Sequence, residues 1–236
     1  EESEKLDELY RLGGTSGGAR PKVMMEMDGE PWIIKFPAHV DRADIGKMEY
    51  DYYLCAEQCG IMMSECNLFP SGKCSGYFGT KRFDRKNQHG EMERLHMLTV
   101  AALLELDFEQ PVLDYQDLMK LTKIITNNSP EDLENMYRRM CFNVYAHNRD
   151  DHAKNFSFLY EEEKKCWRLS PAYDLTYSTT YYGEHTTTVA GNGKNLGSKE
   201  LIFVGTQAGL SKEKCRSIAV EIKNCVSDML SEYLNP

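Results

Sequence analysis

Two short apolar runs near the start of the chain flank a turn signal. The runs VMMEM (23–27) and WIIKF (32–36) are separated by Asp28-Gly29, a dipeptide typical of tight hairpin turns. Between 45 and 59 the apolar residues recur at helical spacing, which predicts a helix with one face packed against this hairpin. That face consists of Ile45, Met48, Tyr52, Cys55, Ala56 and Cys59. The first part of the chain is therefore predicted to be a small antiparallel sheet with one helix.

Beyond a Gly-punctuated stretch at 72–85, which predicts a further strand, the pattern becomes mostly helical. One helix is predicted to begin at Ser129-Pro130, where a capping residue and a first-turn proline precede acidic residues. The other predicted helices cover 91–106, 115–126 and 211–234.

Two strand-like runs, NFSFLY and CWRLSPAYDL, are joined by the charged turn EEEKK and predict a second hairpin within 155–175. The predicted fold class is therefore α+β. We expect a small β-rich N-terminal lobe over residues 1–80 and a mostly helical C-terminal lobe over residues 81–236.

Composition narrows the functional classes. The chain has 236 residues, 41% of them hydrophobic and 28% charged, which predicts a globular core rather than disorder. No apolar run approaches the roughly 20 residues that a membrane helix needs, so we expect a soluble, cytoplasmic protein. A formal net charge of −9 argues against general binding to a nucleic-acid backbone.

The eight cysteines form neither a CxxC pair nor a dense framework. Several of them fall on apolar helix faces, where a free thiol behaves as a small hydrophobic group. The sequence thus predicts reduced thiols and disfavours a structural zinc site.

The run NRDDHAKN, from Asn148 to Asn155, is the first candidate for chemistry. It places Arg-Asp five positions before an asparagine, which is the spacing of a protein-kinase catalytic loop. Asp150 is then the base or orienting group for an attacking hydroxyl, and Asn155 offers an amide oxygen to Mg²⁺. Asp174, beyond the predicted hairpin, supplies a second hard oxygen ligand. The pattern predicts a bilobal protein-kinase-like fold, although the letters DFG of ordinary eukaryotic-type kinases are absent.

Phosphates of ATP also need cations and backbone donors. Lys35, on the second predicted strand, is the candidate to contact the α- and β-phosphates, and Glu49 is its candidate partner. Glu57 or Asp51 is an alternative partner. A Gly-rich segment before the first strand permits close backbone approach to phosphates, although it matches no strict phosphate-loop motif. Its candidate residues are Gly14, Thr15, Ser16, Gly17 and Gly18.

Together these motifs resemble the HipA family of bacterial toxin serine/threonine kinases. The matching segments occur in the family's order over roughly residues 12–200. They are GGARPK (17–22), WIIKF (32–36), KRFDR (81–85), NRDDHAKNFSFL (148–159) and WRLSPAYDL (167–175).

The resemblance implies a role for each matching residue. It makes Asp150 the catalytic aspartate, with His152 beside it as a catalytic candidate or a brace of the loop. It places Asn155 and Asp174 on Mg²⁺ and Lys35 on ATP. It also implies that Lys81 to Phe83 form the adenine hinge with Tyr173 next to the nucleotide, and that Thr15 or Ser16 is autophosphorylated, which switches the kinase off. Tyr173 and Phe83 as core aromatic residues remain an equal alternative.

Partners also follow from the resemblance. The family phosphorylates aminoacyl-tRNA synthetases and is inhibited by a bound antitoxin. The N-terminal piece that longer members carry is here either removed or a separate small protein.

The polar run 177–188 is either a substrate-facing segment or a surface hairpin. Alternative functions are a small-molecule kinase, an ATP-binding pseudokinase that acts through partners, and a metal hydrolase built on Asp150, Asp151, His152 and Asp174.

Overall fold

The N-terminal lobe is built on a four-stranded antiparallel sheet. The structure is a computed structural model that describes residues 2–12, 20–88, 90–105, 113–180 and 182–234. The strands are β1 (Lys22–Met27), β2 (Glu30–Lys35), β3 (Cys66–Phe69) and β4 (Tyr77–Lys81), in the order β1-β2-β4-β3. Asp28 and Gly29 both have positive φ (52° and 76°), as the tightest hairpin turns require, so the predicted first hairpin is confirmed.

Two helices flank this sheet. Helix α2 (Ile45–Gln58) confirms the helix predicted at 45–59, but its buried face contacts both the sheet and the C-terminal helix α7 (Lys212–Leu234). Helix α1 (Glu2–Leu12) was not predicted. It is held by Asp7, whose carboxylate accepts hydrogen bonds from the hydroxyls of Ser71 and Tyr77, each at 2.7 Å.

The predicted helix at 91–106 is wrong. The structure instead has a hairpin of β5 (Arg85–Gln88) and β6 (Glu91–Arg94), then the short strand β7 (Met97–Thr99) and one helical turn, α3 (Val100–Leu103). Every residue of β6 is exposed, so no buried stripe supports a helix there, and pairing across the turn at Gly90 (φ 88°) outweighs local helix propensity.

The C-terminal lobe is mostly helical, as predicted. Its long helices are α4 (Tyr115–Ile125), α5 (Pro130–Tyr145), α6 (Ser198–Gln207) and α7. The Ser129 cap is confirmed because its hydroxyl accepts from the Asp132 N–H at 3.3 Å, whereas α6 was not predicted. A 3₁₀ turn (Ala153–Asn155) precedes the predicted hairpin, which forms from β9 (Ser157–Glu161) and β10 (Cys166–Leu169), with β7 pairing beside β9. The two-residue strands β8 (Leu113–Asp114) and β11 (Thr187–Thr188) pair in parallel.

The apolar core consists of separate clusters, and α2, the helix that carries Glu49, packs in more than one of them. One cluster lies under the sheet and includes Trp32, Ile34, Phe36 and Tyr77. A larger cluster fills the helical lobe and also takes in the buried face of α2. A third cluster joins Tyr53 of α2 to two residues of the sheet, so α2 packs in both parts. Within the described residues, no helix has the length and apolar character needed to cross a membrane.

Candidate active site

Lys35 contacts two carboxylates that come from opposite sides of the cleft. Its Nζ lies 2.5 Å from Glu49 Oε1 on α2 and also bonds Asp174 Oδ1 in the loop after β10. Glu49 is buried, at 3% exposed, while the Asp174 side chain is half-exposed. The strand, the helix and the C-terminal loop thus meet at one ammonium group.

The charges explain the protonation states of this triangle. Burial alone would lower the pKa of Lys35, but the carboxylates of Asp174 and Glu49 outweigh it and raise the pKa. The same ammonium holds the pKa of Asp174 below its ordinary value. Both groups are therefore charged at neutral pH, and Glu49 rather than Glu57 or Asp51 is the partner of Lys35. Asp51 instead pairs with Lys47 at 2.5 Å.

Asp174 is presented by an unusual backbone. Its φ is 54°, a left-handed conformation that aspartate tolerates better than most residues. Two residues earlier, the Ala172 N–H donates to the Met62 carbonyl at 2.8 Å, which ties this loop to the segment after α2. The loop geometry turns the Asp174 carboxylate towards Lys35.

Asp150 lies at the exposed edge of the catalytic loop. Its backbone N–H donates to Ser178 Oγ at 2.8 Å, and its carbonyl accepts from Asn155 Nδ2 at 2.9 Å. The His152 Nε2 atom lies 3.7 Å from its carboxylate, whose side chain is 64% exposed. Partial loss of water raises the pKa of Asp150, His152 opposes the shift, and the charges of Asp151 and Asp174 add to it.

The neighbouring Asp151 anchors the loop and was not among the predicted kinase residues. It is 1% exposed and accepts hydrogen bonds from Tyr115 OH (2.8 Å) and the Thr187 N–H (3.1 Å), with His185 Nδ1 at 3.0 Å. Asn143 extends this network to Tyr115 OH at 2.9 Å. The one sequence signal for Asp151 is its position next to Asp150. A carboxylate there needs hydrogen-bond partners if it is buried, and its burial is set by the fold.

Asn155 and Asp174 offer the donor set that Mg²⁺ prefers. The Asn155 Nδ2 atom is committed to the Asp150 carbonyl, so its Oδ1 atom is the group left to bind a ligand. A carboxylate oxygen and an amide oxygen are hard ligands that suit Mg²⁺ and not a thiophilic ion. The residues present therefore fit the metal that ATP carries.

Of the predicted hinge residues, Phe83 and Tyr173 contact each other, whereas the Lys81 side chain pairs with other residues. The rings of Phe83 and Tyr173 contact each other, with centroids 5.5 Å apart. The Tyr173 hydroxyl donates to the Lys154 carbonyl at 2.7 Å and lies 2.5 Å from Ser157 Oγ, so it braces the catalytic loop against β9. The Lys81 ammonium instead lies 3.5 Å from Glu30 and 3.6 Å from Glu65.

Two further segments complete the surroundings. Gly14, Thr15, Ser16, Gly17 and Gly18 lie outside the described residues. Arg20, just after them, lies 3.0 Å from Asp41 and 3.6 Å from Glu49, and neither contact was predicted from the sequence.

The run 177–188 lies along the catalytic loop, where Thr186 donates to the Arg149 carbonyl. The described residues of this run form no hairpin of their own.

A cavity of about 220 Å³ adjoins the catalytic loop on the side of this run. His147, Arg149, His185 and Lys194 lie in its wall. Among the described residues no carboxylate pairs with Arg149, whereas Lys194 bonds Glu184 at 2.9 Å. Burial lowers the pKa of His147, and the charge of Arg149 lowers it further. Arg149 is thus the one cation of this wall that no described carboxylate pairs, on a chain whose net charge is −9.

The sheet, α2 and the catalytic loop together form the kinase fold, and solved structures support this class. The Helicobacter pylori proinflammatory kinase CtkA superposes with a TM-score of 0.54 at 11% identity, covering 89% of this chain and 91% of that protein. HipA of Shewanella oneidensis MR-1, solved with HipB and operator DNA, superposes with a TM-score of 0.74 at 18% identity, covering 94% of this chain and 58% of that chain.

The family is shown by sequence. Residues 14–229 match the HipA-like C-terminal domain, and the chain belongs to that family, which confirms the resemblance. A curated relative, "Putative kinase Y4dM" of Sinorhizobium fredii (strain NBRC 101917 / NGR234), is 27% identical over 207 residues. That match covers 80% of this chain and 48% of the relative, so the chain spans about half the length of the curated relative it matches.

Proposed function

We propose that this chain is a Mg²⁺- and ATP-dependent protein serine/threonine kinase that acts as the toxin of a HipA-type toxin–antitoxin system. The observation that carries the proposal is the contact of Lys35 with both Glu49 and Asp174. A strand lysine held in this way is the arrangement that positions phosphates in protein kinases. A decayed pseudokinase has no reason to keep all three charges together.

Each residue then has one task. Lys35 binds the phosphates of ATP, and Glu49 fixes its position. Asp174 and Asn155 hold Mg²⁺, which neutralises charge on the phosphates when bound. Asp150 orients the acceptor hydroxyl and accepts its proton, with His152 beside it, while Asp151 keeps the loop in place. The N-terminal lobe, proposed as 1–80, and the C-terminal lobe, proposed as 81–236, close on the nucleotide between them.

The nucleotide base is proposed to lie against Phe83 and Tyr173. Their rings contact each other, and an aromatic face is a surface on which adenine can stack. The side chain of Lys81 is engaged with two glutamates, so its part in the hinge is structural.

The acceptor is proposed to be a translation component such as an aminoacyl-tRNA synthetase, on family resemblance. Arg149, which no described carboxylate pairs, favours an acceptor with acidic or phosphate groups near its hydroxyl. An antitoxin partner is proposed because the similar HipA protein was solved with HipB and operator DNA. Thr15 or Ser16 is proposed as the autophosphorylation site, and the cytoplasm as the place of action.

Mass spectrometry of phosphopeptides after expression in bacterial cells tests this proposal. The active chain should produce phosphoserine or phosphothreonine on itself at Thr15 or Ser16 and on one or a few host proteins, and Asp150→Ala should produce neither. Phosphorylated small molecules without any phosphoprotein would favour the small-molecule kinase instead. Stabilisation by ATP that required Zn²⁺ rather than Mg²⁺ would favour the metal hydrolase.

A further inference from the structure

Three cysteine thiols converge where α2 meets α7, away from the cleft. Cys55 is on α2 and Cys59 caps its C-terminal end, one turn later, while Cys225 comes from α7. The three sulfur atoms all lie within 4.8 Å of one another, with Cys55 Sγ and Cys225 Sγ 3.9 Å apart. The Met229 sulfur lies 3.7 Å from Cys225 Sγ, one turn further along α7. Four sulfur atoms thus form one group.

The spacing is that of ligands around one ion. A zinc–sulfur bond is about 2.3 Å long, so two thiolates on a tetrahedral ion lie about 3.8 Å apart. The distance between Cys55 and Cys225 already matches this value. The third thiol needs a movement of less than about 1 Å, which side-chain rotation supplies. No other group of three such ligands is found in the described ranges of the chain.

The chemistry of the donors selects the ion. Thiolate and thioether sulfur are soft ligands that favour Zn²⁺ or Cu⁺ and disfavour Mg²⁺. An ion that binds there replaces the thiol protons and releases them to solvent.

We propose that Cys55, Cys59 and Cys225 form a binding site for a thiophilic cation, Zn²⁺ in the first place, with the Met229 thioether beside the fourth coordination position. The site is independent of the kinase chemistry, since it shares no residue with the cleft. It joins the end of α2 to α7, and α2 is the helix that carries Glu49. A bound ion therefore fixes the helix that positions Lys35 to the C-terminal lobe. The sequence disfavoured structural zinc because these ligands combine a helical i, i+4 pair with a distant helix and form no CxxC pair.

Titration of the full chain with Cd²⁺ tests the site. The protein is first reduced and treated with a chelator, and ultraviolet absorption then follows the cadmium–thiolate charge-transfer band. We expect the band to rise until one ion is bound per chain, with release of protons, and Zn²⁺ to compete for the same site. Zn²⁺ should also raise the temperature of unfolding by several degrees.

Matched variants show whether these thiols are the ligands. Cys225→Ala, at the most accessible of the three positions, should lose the band and the Zn²⁺-dependent stabilisation while retaining the circular dichroism of the folded chain. Cys166→Ala, a free thiol on β10, should bind as the unaltered chain does. Met229→Leu should weaken binding severalfold. A reduced wild-type chain without a stoichiometric band, or an equal band in Cys225→Ala, would overturn the proposal.

Discussion

At the scale of single residues, Asp150 and Asp151 are neighbours with opposite surroundings. The Asp150 carboxylate is mostly exposed, with His152 at 3.7 Å, while Asp151 is buried and accepts from Tyr115 and Thr187. A buried carboxylate with several donors is a structural anchor, and an exposed one in a cleft is available for chemistry. The two aspartates therefore have different expected effects on stability.

Asp151→Ala should destabilise the chain because it leaves buried donors of Tyr115 and Thr187 without a partner. The expected loss is about 2–3 kcal/mol in the free energy of unfolding, measured by chemical denaturation. Asp150→Ala is the matched control, and it should change stability by no more than about 0.5 kcal/mol. Equal losses in the two variants would contradict the assigned roles.

Lys35→Met should abolish productive use of ATP because it removes the ammonium that lies between Glu49 and Asp174. We expect phosphoryl transfer to fall by about a hundredfold or more, measured as kcat/KM for ATP. Lys47→Met provides the control, since Lys47 lies on the exposed side of α2 and pairs with Asp51. A similar fall in both variants would mean that lysine loss acts through the fold and not through the cleft.

At the scale of elements, the sequence predicted the helices and turns that short-range signals such as capping residues and turn dipeptides determine. The first hairpin followed from Asp28-Gly29, and the helix after Ser129 followed from its capping residue. The prediction of a helix at 91–106 was wrong because Glu91–Arg94 contains helix-forming residues but pairs with β5. That pairing is a tertiary interaction, which the periodicity of the sequence does not show. The predicted pairing of Lys35 with Glu49 is present, whereas the contact of Lys35 with Asp174 was not predicted. The contacts of Asp151 and Arg20 likewise depend on burial and distant partners. Those contacts are set by packing and so could not be predicted.

Gly46→Ala tests how closely α2 packs against the backbone at Gly76. A Cβ atom at Gly46 would lie 2.3 Å from the Gly76 carbonyl oxygen, and backbone cannot move aside cheaply. We expect a net loss of about 2 kcal/mol by denaturation, although alanine favours helix by about 1 kcal/mol.

Gly197→Ala is the comparison variant for this test. At that position, the N-cap of α6, the nearest atom is Glu200 Oε2 at 3.7 Å, an ordinary contact, so the change should cost only about 0.5–1 kcal/mol, the preference for glycine over alanine at an N-cap. A Gly46→Ala chain as stable as the Gly197→Ala chain would show that α2 can shift freely.

At the scale of the whole molecule, the site exists only because the two lobes meet. Lys35 comes from the sheet and Asp174 from the loop after the C-terminal hairpin, while α2 packs in the cores of both. Any change in the position of α2 is therefore transmitted to Glu49 and Lys35. The thiol group at the far end of α2 is placed where an ion would restrain that movement.

Transfer of labelled phosphate from ATP tests the proposed kinase activity directly. Purified chain is incubated with γ-labelled ATP and Mg²⁺, and the wild type is compared with Asp150→Ala after both are shown to bind nucleotide. We expect label on serine or threonine in the wild type and a loss of about a hundredfold or more in the variant. Label at equal rates in both chains, or no label from a wild type that binds Mg²⁺ and ATP, would contradict it.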